Sequence, residues 1–299
     1  MIYTITLNPC IDHYLFLDGE PALYGTNRAM RSRTLCGGKG INVGAVCTML
    51  GLDAVCTGFC GGFTGAELLR RLGTAGIKHD FIMTGKETRI NAKIVSGGRV
   101  TEINSPGEPP DDDDVGALVS VIEKAGPDDT VVLSGSVPDK AGLLETVLEA
   151  IKRTGAYYIA DTSGRALKEC LSYSPDLIKP NREEASQLLG ITLESWDIKD
   201  HAGELIALGA RAALVSDGEK GAYFTDGNTV RHVPVTDAGY KAVNTTGAGD
   251  SMIAGYLYGS HNGIDPLICA VAAGSASAYC ENIFDKNVFF RVIKSYGSL

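Results

Sequence analysis

The sequence predicts an α/β protein in which a doubly wound, mostly parallel sheet carries a small β-sheet lid. Short apolar runs alternate with helical patterns, which is the order of βαβ units. Two segments with β-type patterns, residues 10–36 and 86–104, interrupt this alternation. The chain has 299 residues, of which 44% are hydrophobic. That is enough to bury the core of one large α/β domain with a small appendage.

The main sheet is predicted from apolar runs that are short enough to be buried strands. These runs lie at residues 3–7, 54–60, 130–136, 157–161, 176–180 and 212–218. The helices predicted between them lie at residues 40–50, 64–75, 112–125, 140–153, 164–171, 182–189 and 200–208. After Asp250 the chain is mainly helical in pattern. Parallel strands covered by helices on both faces account for the nearly continuous apolar character of the runs.

The two interrupting segments are expected to pair into one small sheet. Residues 86–104 alternate polar and apolar side chains on both sides of Gly97-Gly98, which is typical of a hairpin. Residues 10–36 make a long connection between the first strand and the first helix. Ligands of open α/β sheets bind beyond the carboxyl ends of the strands, so a sheet placed there acts as a lid. The expected division is a core of 1–9, 37–85 and 105–299 and a lid of 10–36 and 86–104.

Composition excludes several classes of function. Lys and Arg total 27 and Asp and Glu total 36, giving a net charge of −9, and no basic run is present. Such a chain is not expected to bind nucleic acid or an anionic membrane. The start, "MIYTITLNP", lacks the features of a signal peptide, and the 8 cysteines are scattered. These features predict a cytoplasmic protein with no membrane span.

The stretch "VNTTGAGDSMIAG" (243–255) leads from glycines into an apolar run at helical spacing. It lacks the Gly-Lys pair of a P-loop, and Met252 occupies the position of the third glycine in a dinucleotide loop. A helix that begins at Gly247 or Ala248 presents unpaired N–H groups, and the glycines let a ligand approach them. This stretch therefore predicts an anion hole.

Asp250 lies in the first turn of that helix, and two interpretations remain open for it. It can simply cap the helix, because acidic residues are favoured there. It can instead belong to a phosphoryl-transfer site, in which the anion hole holds the moving phosphoryl group and the carboxylate accepts the proton of an attacking hydroxyl. In that case the positive helix end is expected to keep Asp250 ionised.

Two further segments have both a structural and a functional interpretation. In "CGGKGINVGAVCTMLG" (36–51), Lys39 stands at a helix mouth, either as an exposed turn residue or as a contact to an anionic or hydroxyl-rich ligand. In "IKPNREEASQLLG" (178–190), Asn181 and Glu184 have the form of a capping box. Alternatively, this pair faces the strand ends and holds Mg²⁺ largely through water.

Together these motifs resemble the ribokinase/PfkB sugar-kinase family over nearly the whole chain. The segments that carry the resemblance are "TLNPCID" (6–12), "GGKGINV" (37–43), "TRINAK" (88–93), "LSGSVP" (133–138), "KPNREE" (179–184), "VSDGEKGA" (215–222) and "TTGAGDSM" (245–252). The resemblance implies a ribokinase-like fold, ATP as co-substrate and Mg²⁺ as cofactor. It also implies a homodimer formed through the lid.

The resemblance implies a role for each residue that matches a family motif. Asp250 corresponds to the catalytic base, and the anion hole for the transferred group corresponds to Gly247, Ala248 and Gly249. The residues implied to contact the sugar are Asp12, Gly38, Lys39 and Asn42. Those implied to bind ATP are Lys179, Asn181, Ser216, Gly218, Gly221 and Asn282. Glu184, together with Asn181, corresponds to the element that governs Mg²⁺.

The pattern "TRINAK" is similar to the phosphosugar branch of the family. Arg89 and Lys93 are four residues apart on an alternating strand, so they project to one face about 13 Å apart. Either they form a solvated lid face or they reach one phosphate together with Lys39. The expected reaction is ATP-dependent phosphorylation of fructose 1-phosphate to fructose 1,6-bisphosphate. Tagatose 6-phosphate and fructose 6-phosphate are alternative substrates, and a non-catalytic phosphosugar or nucleotide sensor is an alternative of another class.

Overall fold

The computed structural model describes residues 1–281 and 283–297. Its strands are β1 (Ile2–Thr6), β2 (Cys10–Phe16), β3 (Arg31–Gly37), β4 (Ala54–Gly61), β5 (His79–Thr84), β6 (Arg89–Ser96), β7 (Arg99–Ile103), β8 (Thr130–Ser134), β9 (Tyr157–Asp161), β10 (Leu177–Ile178), β11 (Ala213–Ser216), β12 (Ala222–Thr225) and β13 (Val230–Val233). The large sheet has the order β13-β12-β11-β10-β9-β8-β1-β4-β5. Its strands pair in parallel except for β12 and β13, which pair antiparallel at one edge.

Helices cover both faces of this sheet. They are α1 (Lys39–Leu50), α2 (Gly62–Thr74), α3 (Asp112–Ile122), α4 (Leu143–Thr154), α5 (Gly164–Leu171), α6 (Arg182–Leu189), α7 (Ile198–Ala207), α8 (Ala248–Asn262), α9 (Pro266–Ala278) and α10 (Lys286–Ser295), with 3₁₀ turns at Leu193–Ser195 and Gly218–Lys220. One apolar core lies between the sheet and α3 to α7, and another lies between the sheet and α1, α8, α9 and α10. The predicted doubly wound fold is confirmed.

The central strand β8 shows why its sequence is apolar without alternation. Val131 and Leu133 pack into one core, while Val132, between them, packs into the other. Successive side chains of a strand point to opposite faces, and helices bury both faces here. The parallel strands therefore end at one shared edge, where the loops after β1, β8, β9 and β10 come together.

The two interrupting segments supply the strands of the second sheet, in the order β3-β2-β6-β7. Strand β2 pairs in parallel with β6, and the other pairs are antiparallel. Gly97 and Gly98 join β6 to β7 with φ values of 54° and 75°, the left-handed conformation that this two-residue turn requires. Cys10 pairs with Gly37, so the sheet attaches where β1 ends and α1 begins. Its action as a lid stays a prediction.

Some elements differ from the predicted ones. Strands β5, β12 and β13 were not expected, and β10 spans Leu177–Ile178 where residues 176–180 were predicted. The three unexpected strands lie at or next to the sheet edges. Edge strands are partly exposed and carry polar residues such as those of "VRHV", so the apolar signal that reveals central strands is weak. Among the described residues, no helix is both long and apolar enough to cross a membrane.

Candidate active site

Two helix N-termini face each other beyond the carboxyl edge of the large sheet. Helix α1 begins after Gly38, which has a φ of 131°, and α8 begins after Gly247, which has a φ of 80°. Within the described part of the chain, neither end receives a side-chain capping bond. The first amide groups of a helix lack intrahelical partners, so both ends present N–H donors and partial positive charge. The arrangement is suited to binding an anion.

Asp250 lies between these two helix ends. It is 6% exposed, and its Oδ2 accepts a hydrogen bond of 2.8 Å from the Nδ2 of Asn42 in α1. The first intrahelical bond of α8 runs from the amide of Ser251 to the carbonyl of Gly247. Asp250 is therefore not held by a bond that caps its own helix, and the capping interpretation does not explain its position.

A second buried carboxylate, Asp161 at the end of β9, joins two lysines beside Asp250. Its Oδ1 lies 3.2 Å from the Nζ of Lys39 and 3.2 Å from the Nζ of Lys179. The side chain of Asp161 has no exposed surface, whereas that of Lys39 is 37% exposed. A Cβ atom at Gly249 would lie 3.1 Å from the Nζ of Lys179, so this ammonium reaches the first turn of α8.

The pKa values of Asp250, Lys39 and Asp161 are shifted by burial and by the charges around them. Burial and the nearby carboxylate of Asp161 raise the pKa of Asp250 to about 6, against the opposing effects of Lys39, Asn42 and Lys179. Burial lowers the pKa of Lys39, but Asp161, Asp250 and Glu184 outweigh it and raise this pKa to about 12. Burial also opposes the ionisation of Asp161, yet the two lysines lower its pKa. At pH 7 Lys39 is therefore protonated, Asp161 is ionised and Asp250 is mostly ionised.

The expected sugar contacts meet at the junction of β2, β6 and α1. The Oδ1 of Asp12 accepts a hydrogen bond of 3.1 Å from the Nδ2 of Asn91, which is opposite it in the register of β2 and β6. A Cβ atom at Gly37 would lie 2.6 Å from the Oδ2 of Asp12, so a larger residue there would displace this carboxylate. Asp12 and Asn42 line one cavity, and Gly38 and Lys39 begin the helix that carries Asn42. Their contact with the sugar stays a prediction.

Arg89 and Lys93 lie on one face of β6, but each already has partners. Arg89 donates to the carbonyl of Asn8 at 3.1 and 3.3 Å and to the carbonyl of Ser105 at 2.7 Å. The Nζ of Lys93 lies 2.8 Å from Glu102 on the neighbouring strand β7. Their convergence with Lys39 on one phosphate stays a prediction. For Lys93 it requires release of its ion pair with the exposed carboxylate of Glu102.

The expected nucleotide segment lies beside the lysine pair. Asn181 and Glu184 form the capping box of α6, with reciprocal bonds of 2.8 Å between each side chain and the other's amide. Gly218 opens the turn after β11, and Gly221 closes it with a φ of 94°, where a Cβ atom would lie 2.1 Å from the carbonyl of Val233. Ser216 bridges to Asn181 across the strand ends, so the two ATP elements are adjacent. Asn282 lies outside the described residues.

The donor set near α6 fits a water-coordinated divalent cation better than a fully protein-coordinated one. Among the described residues, no three of the His, Cys, Asp and Glu side chains come together as metal ligands. Glu184 is half-buried, and only its Oε2 is used by the capping box. Mg²⁺ keeps several waters and takes few carboxylates, so the remaining oxygen of Glu184 suits contact through water.

The sequence analysis missed four polar residues of the site. Asn91 was within a quoted motif but had no assigned role, and Asp161 is the last residue of a predicted strand that carries no motif. The carbonyl of Asn8 accepts from Arg89, and the Nδ2 of Asn8 is 3.3 Å from the Oγ of Ser136. Each of the four follows or ends a strand at the carboxyl edge or faces Asp12, so their positions relative to the strands were the available signal.

A family model and individual relatives match this chain. The model described as pfkB family carbohydrate kinase matches residues 5–281. A 1-phosphofructokinase of Borreliella burgdorferi is 37% identical, over 95% of this chain and 93% of that protein. A tagatose-6-phosphate kinase of Staphylococcus epidermidis is 32% identical, over 87% of this chain and 85% of that protein.

A solved structure supports the same relationship at the level of the fold. The phosphofructokinase-2 of Escherichia coli in complex with fructose-6-phosphate superimposes with a TM-score of 0.89 and 26% identity. The superposition covers 98% of this chain and 98% of that chain. The two proteins therefore share one fold over nearly their whole lengths.

Proposed function

Because the chain belongs to the pfkB family of carbohydrate kinases, we propose that it phosphorylates a ketose phosphate at the site between α1 and α8. The protein is an ATP-dependent sugar kinase, and ATP is its co-substrate. The proposed reaction transfers the γ-phosphoryl group of ATP to fructose 1-phosphate, giving fructose 1,6-bisphosphate and ADP. Tagatose 6-phosphate is the second candidate substrate, because a kinase of that sugar is also among the relatives.

The observation that carries the catalytic part of this proposal is the position of Asp250. Its carboxylate is buried at the uncapped start of α8 and oriented by the amide of Asn42. A base must be within hydrogen-bond reach of the attacking hydroxyl and have a pKa near the working pH. Asp250 meets the second condition, since its pKa is about 6. We assign it the removal of the proton from the sugar hydroxyl.

The groups around Asp250 suit the charge that develops on the transferred phosphoryl group. Gly247 caps α8, Ala248 and Gly249 begin its first turn, and the ammonium of Lys179 reaches the same turn. Phosphoryl transfer needs positioning and electrostatic stabilisation more than covalent participation by the protein. We therefore assign the anion hole to Gly247, Ala248 and Gly249, with Lys39 and Lys179 beside it.

Mg²⁺ is the proposed cofactor, with Glu184 contacting it through water and Asn181 beside it. When bound, Mg²⁺ neutralises charge on the ATP phosphates. The chain itself contributes the half-buried carboxylate of Glu184 at the start of α6, near Lys179 and Ser216. We assign these residues to the binding of the ATP phosphates, close to the start of α8.

The phosphate of the sugar is assigned to the region around Arg89. Arg89 is fixed by the carbonyls of Asn8 and Ser105, and the hydroxyl of Ser136 lies within reach of Asn8. An anion there would be held by a guanidinium in a protein whose net charge is −9. A sensor without activity would need neither the oriented Asp250 nor the lysine pair, so the enzymatic function is favoured.

Selectivity among ketoses tests the proposed substrate. We expect ADP release with fructose 1-phosphate to have a kcat/KM at least ~100-fold above that with free fructose, because a phosphate contact is worth several kcal/mol. The panel should include tagatose 6-phosphate and fructose 6-phosphate at equal concentrations. A higher kcat/KM for either of these would transfer the proposal to that sugar, and ADP release without a preference for phosphorylated sugars would exclude a phosphosugar kinase.

The pH dependence of kcat should show an acid limb with a midpoint near 6. The base acts only when deprotonated, so activity is lost as pH falls through the raised pKa of Asp250. The measurement is kcat at saturating ATP and sugar from pH 4.5 to 8, since sugar phosphates also titrate near pH 6 and affect kcat/KM. A limb centred near 4, the ordinary range of an aspartate, would show that Asp250 is not the titrating base.

Closure of the lid should appear as protection from hydrogen exchange. The Arg33 guanidinium of β3 donates to the carbonyl of Glu281, so the small sheet already contacts a core loop at one point. Fructose 1-phosphate and a non-hydrolysable ATP analogue should slow exchange in residues 10–36 and 86–104 together, because closure excludes water from the site. Protection confined to residues after 212 would contradict the lid assignment.

A homodimer through the lid is the proposed assembly. Several large apolar side chains of the small sheet and its loop are exposed, namely Leu23, Tyr24, Met30, Ile90, Val100 and Ile103. An exposed apolar group of this size is typical of a protein interface. Sedimentation should therefore give a mass near twice the 31.5 kDa of one chain, and a monomer at micromolar concentration would contradict the proposal.

A further inference from the structure

We propose that Asp161 is a positioning residue for phosphoryl transfer: one oxygen of its carboxylate holds the ammonium groups of Lys39 and Lys179 together at the start of α8. The inference rests on the proposed function, because it concerns the surroundings of the base Asp250. It assigns no contact between Asp161 and substrate. Asp161 acts instead through the two lysines and through the charge it presents to Asp250.

Asp161, Lys39 and Lys179 form a clamp, and each of them comes from a different element. Asp161 is the last residue of β9, Lys179 follows the adjacent parallel strand β10, and Lys39 is the first residue of α1. Ala160 and Ile178 are register partners, so Asp161 and Lys179 leave the sheet side by side. Both ammonium groups lie 3.2 Å from the same oxygen, Oδ1. Two cations that would otherwise repel each other are therefore held at one point.

The clamped lysines keep donors for a ligand. An ammonium group has three N–H donors. Within the described residues, the structure gives each lysine an ion pair with Asp161 and no other acceptor. The Nζ of Lys179 is close enough to Gly249 that a Cβ atom there would be 3.1 Å away. The spare donors of this lysine thus lie beside the anion hole, where a phosphoryl oxygen is proposed to bind.

The buried carboxylate of Asp161 is arranged in a way that does not favour the stability of the fold. Its Oδ2 is fully buried and, among the residues that the structure describes, has no hydrogen-bond partner. A buried carboxylate oxygen left without a partner is destabilising, and most buried polar groups in proteins avoid this state. A carboxylate that served only to neutralise two lysines would share them between both oxygens. The single-oxygen geometry instead brings the two ammonium groups together.

Asp161 also affects the base. The charged groups that face Asp250 are Asp161 from β9, Lys179 from the end of β10 and Lys39 from α1, while Asn42 supplies a neutral donor. The negative charge of Asp161 raises the pKa of Asp250, and the two lysines lower it. Removing the charge of Asp161 should therefore lower the pKa of Asp250 and leave the lysines less well placed.

The variant Asp161→Asn tests the proposal. We expect kcat to fall by about 10-fold or more with KM values changed much less, because the lysines lose their shared counterion. We also expect the acid midpoint of kcat to move down by about one pH unit. A merely structural role would not move this midpoint. A kcat and a midpoint that both equal those of the wild type would overturn the proposal.

Asp176→Asn is the matched control. Asp176 is a mostly buried aspartate at the other end of the same strands, where it pairs with Arg211 and accepts from the amide of Tyr158. Its loss should reduce thermal stability and leave the midpoint unchanged. If Asp161→Asn does not fold, Lys39→Gln provides the second arm. It removes one of the charges that lower the pKa of Asp250, so the midpoint should rise, and an unchanged midpoint would overturn the proposal.

A failure of the role proposed for Asp161 can be distinguished from a failure of the proposed function. If Asp250→Asn remains active, the base assignment fails and the role of Asp161 fails with it. If Asp250→Asn is inactive while Asp161→Asn keeps the kcat and midpoint of the wild type, the role of Asp161 alone is excluded.

Discussion

Replacement of Asp250 by asparagine should lower kcat by roughly 10²–10⁴-fold, the usual worth of general base catalysis. The amide has nearly the same shape and can still accept the hydrogen bond from Asn42, which is 2.8 Å long in the structure. It cannot accept the proton of the sugar hydroxyl. The two helix ends, Lys39 and Lys179 remain in place, so the affinities for ATP and for the sugar phosphate should change little.

The measurement is kcat at saturating substrates together with direct binding of nucleotide. Asp197→Asn is a suitable control, because Asp197 caps the start of α7 by accepting from the amide of Lys199 and has no role in the proposed site. That variant should keep the activity of the wild type. Retention of more than half of the activity in Asp250→Asn would exclude Asp250 as the base.

Truncation of Arg89 should raise the KM for fructose 1-phosphate by about 30-fold or more. A charge-assisted contact to phosphate under a closed lid is worth about 2–4 kcal/mol. The KM for ATP should stay nearly constant, since Arg89 lies on β6 and not near α6. Higher salt should weaken sugar-phosphate binding more in the wild type than in Arg89→Ala, because the contact that salt screens is absent from the variant.

The structure adds a control that this experiment needs. Arg89 also donates to the carbonyls of Asn8 and Ser105, so its loss can loosen the loops beside the site. Thermal unfolding of Arg89→Ala should therefore be measured, and Arg99→Ala serves as a lid arginine that is exposed and pairs with Glu20. Lys93→Ala should act in the same direction but less, because an ammonium lacks the guanidinium fork. An unchanged KM for the sugar in Arg89→Ala would exclude the phosphate contact.

The sequence predicted those features that depend on local pattern. The hairpin around Gly97-Gly98, the central strands and the helix that begins after Gly247 were all predicted near their observed bounds. Turn residues, apolar runs and glycines at a helix start act over a few residues, so one sequence is enough to reveal them. The three strands that were missed, β5, β12 and β13, lie where packing against neighbours decides the structure.

Electrostatic relationships between distant segments could not be predicted in the same way. The position of Asp250 at a helix start predicted an ionised carboxylate, yet burial and Asp161 raise its pKa to about 6. The spacing of Arg89 and Lys93 predicted their common face but not the pairing of Lys93 with Glu102. Such partners depend on how strands pair in the folded protein, and the spacing of residues within one segment does not reveal that pairing.

Identification of the product tests the central proposal most directly. The purified protein should be incubated with ATP, Mg²⁺ and fructose 1-phosphate, and the phosphorus resonances followed by NMR. We expect fructose 1,6-bisphosphate and ADP to appear in equal amounts as ATP and fructose 1-phosphate disappear. Persistence of fructose 1-phosphate, under conditions in which the same preparation phosphorylates tagatose 6-phosphate or a neutral sugar, would contradict the proposed reaction.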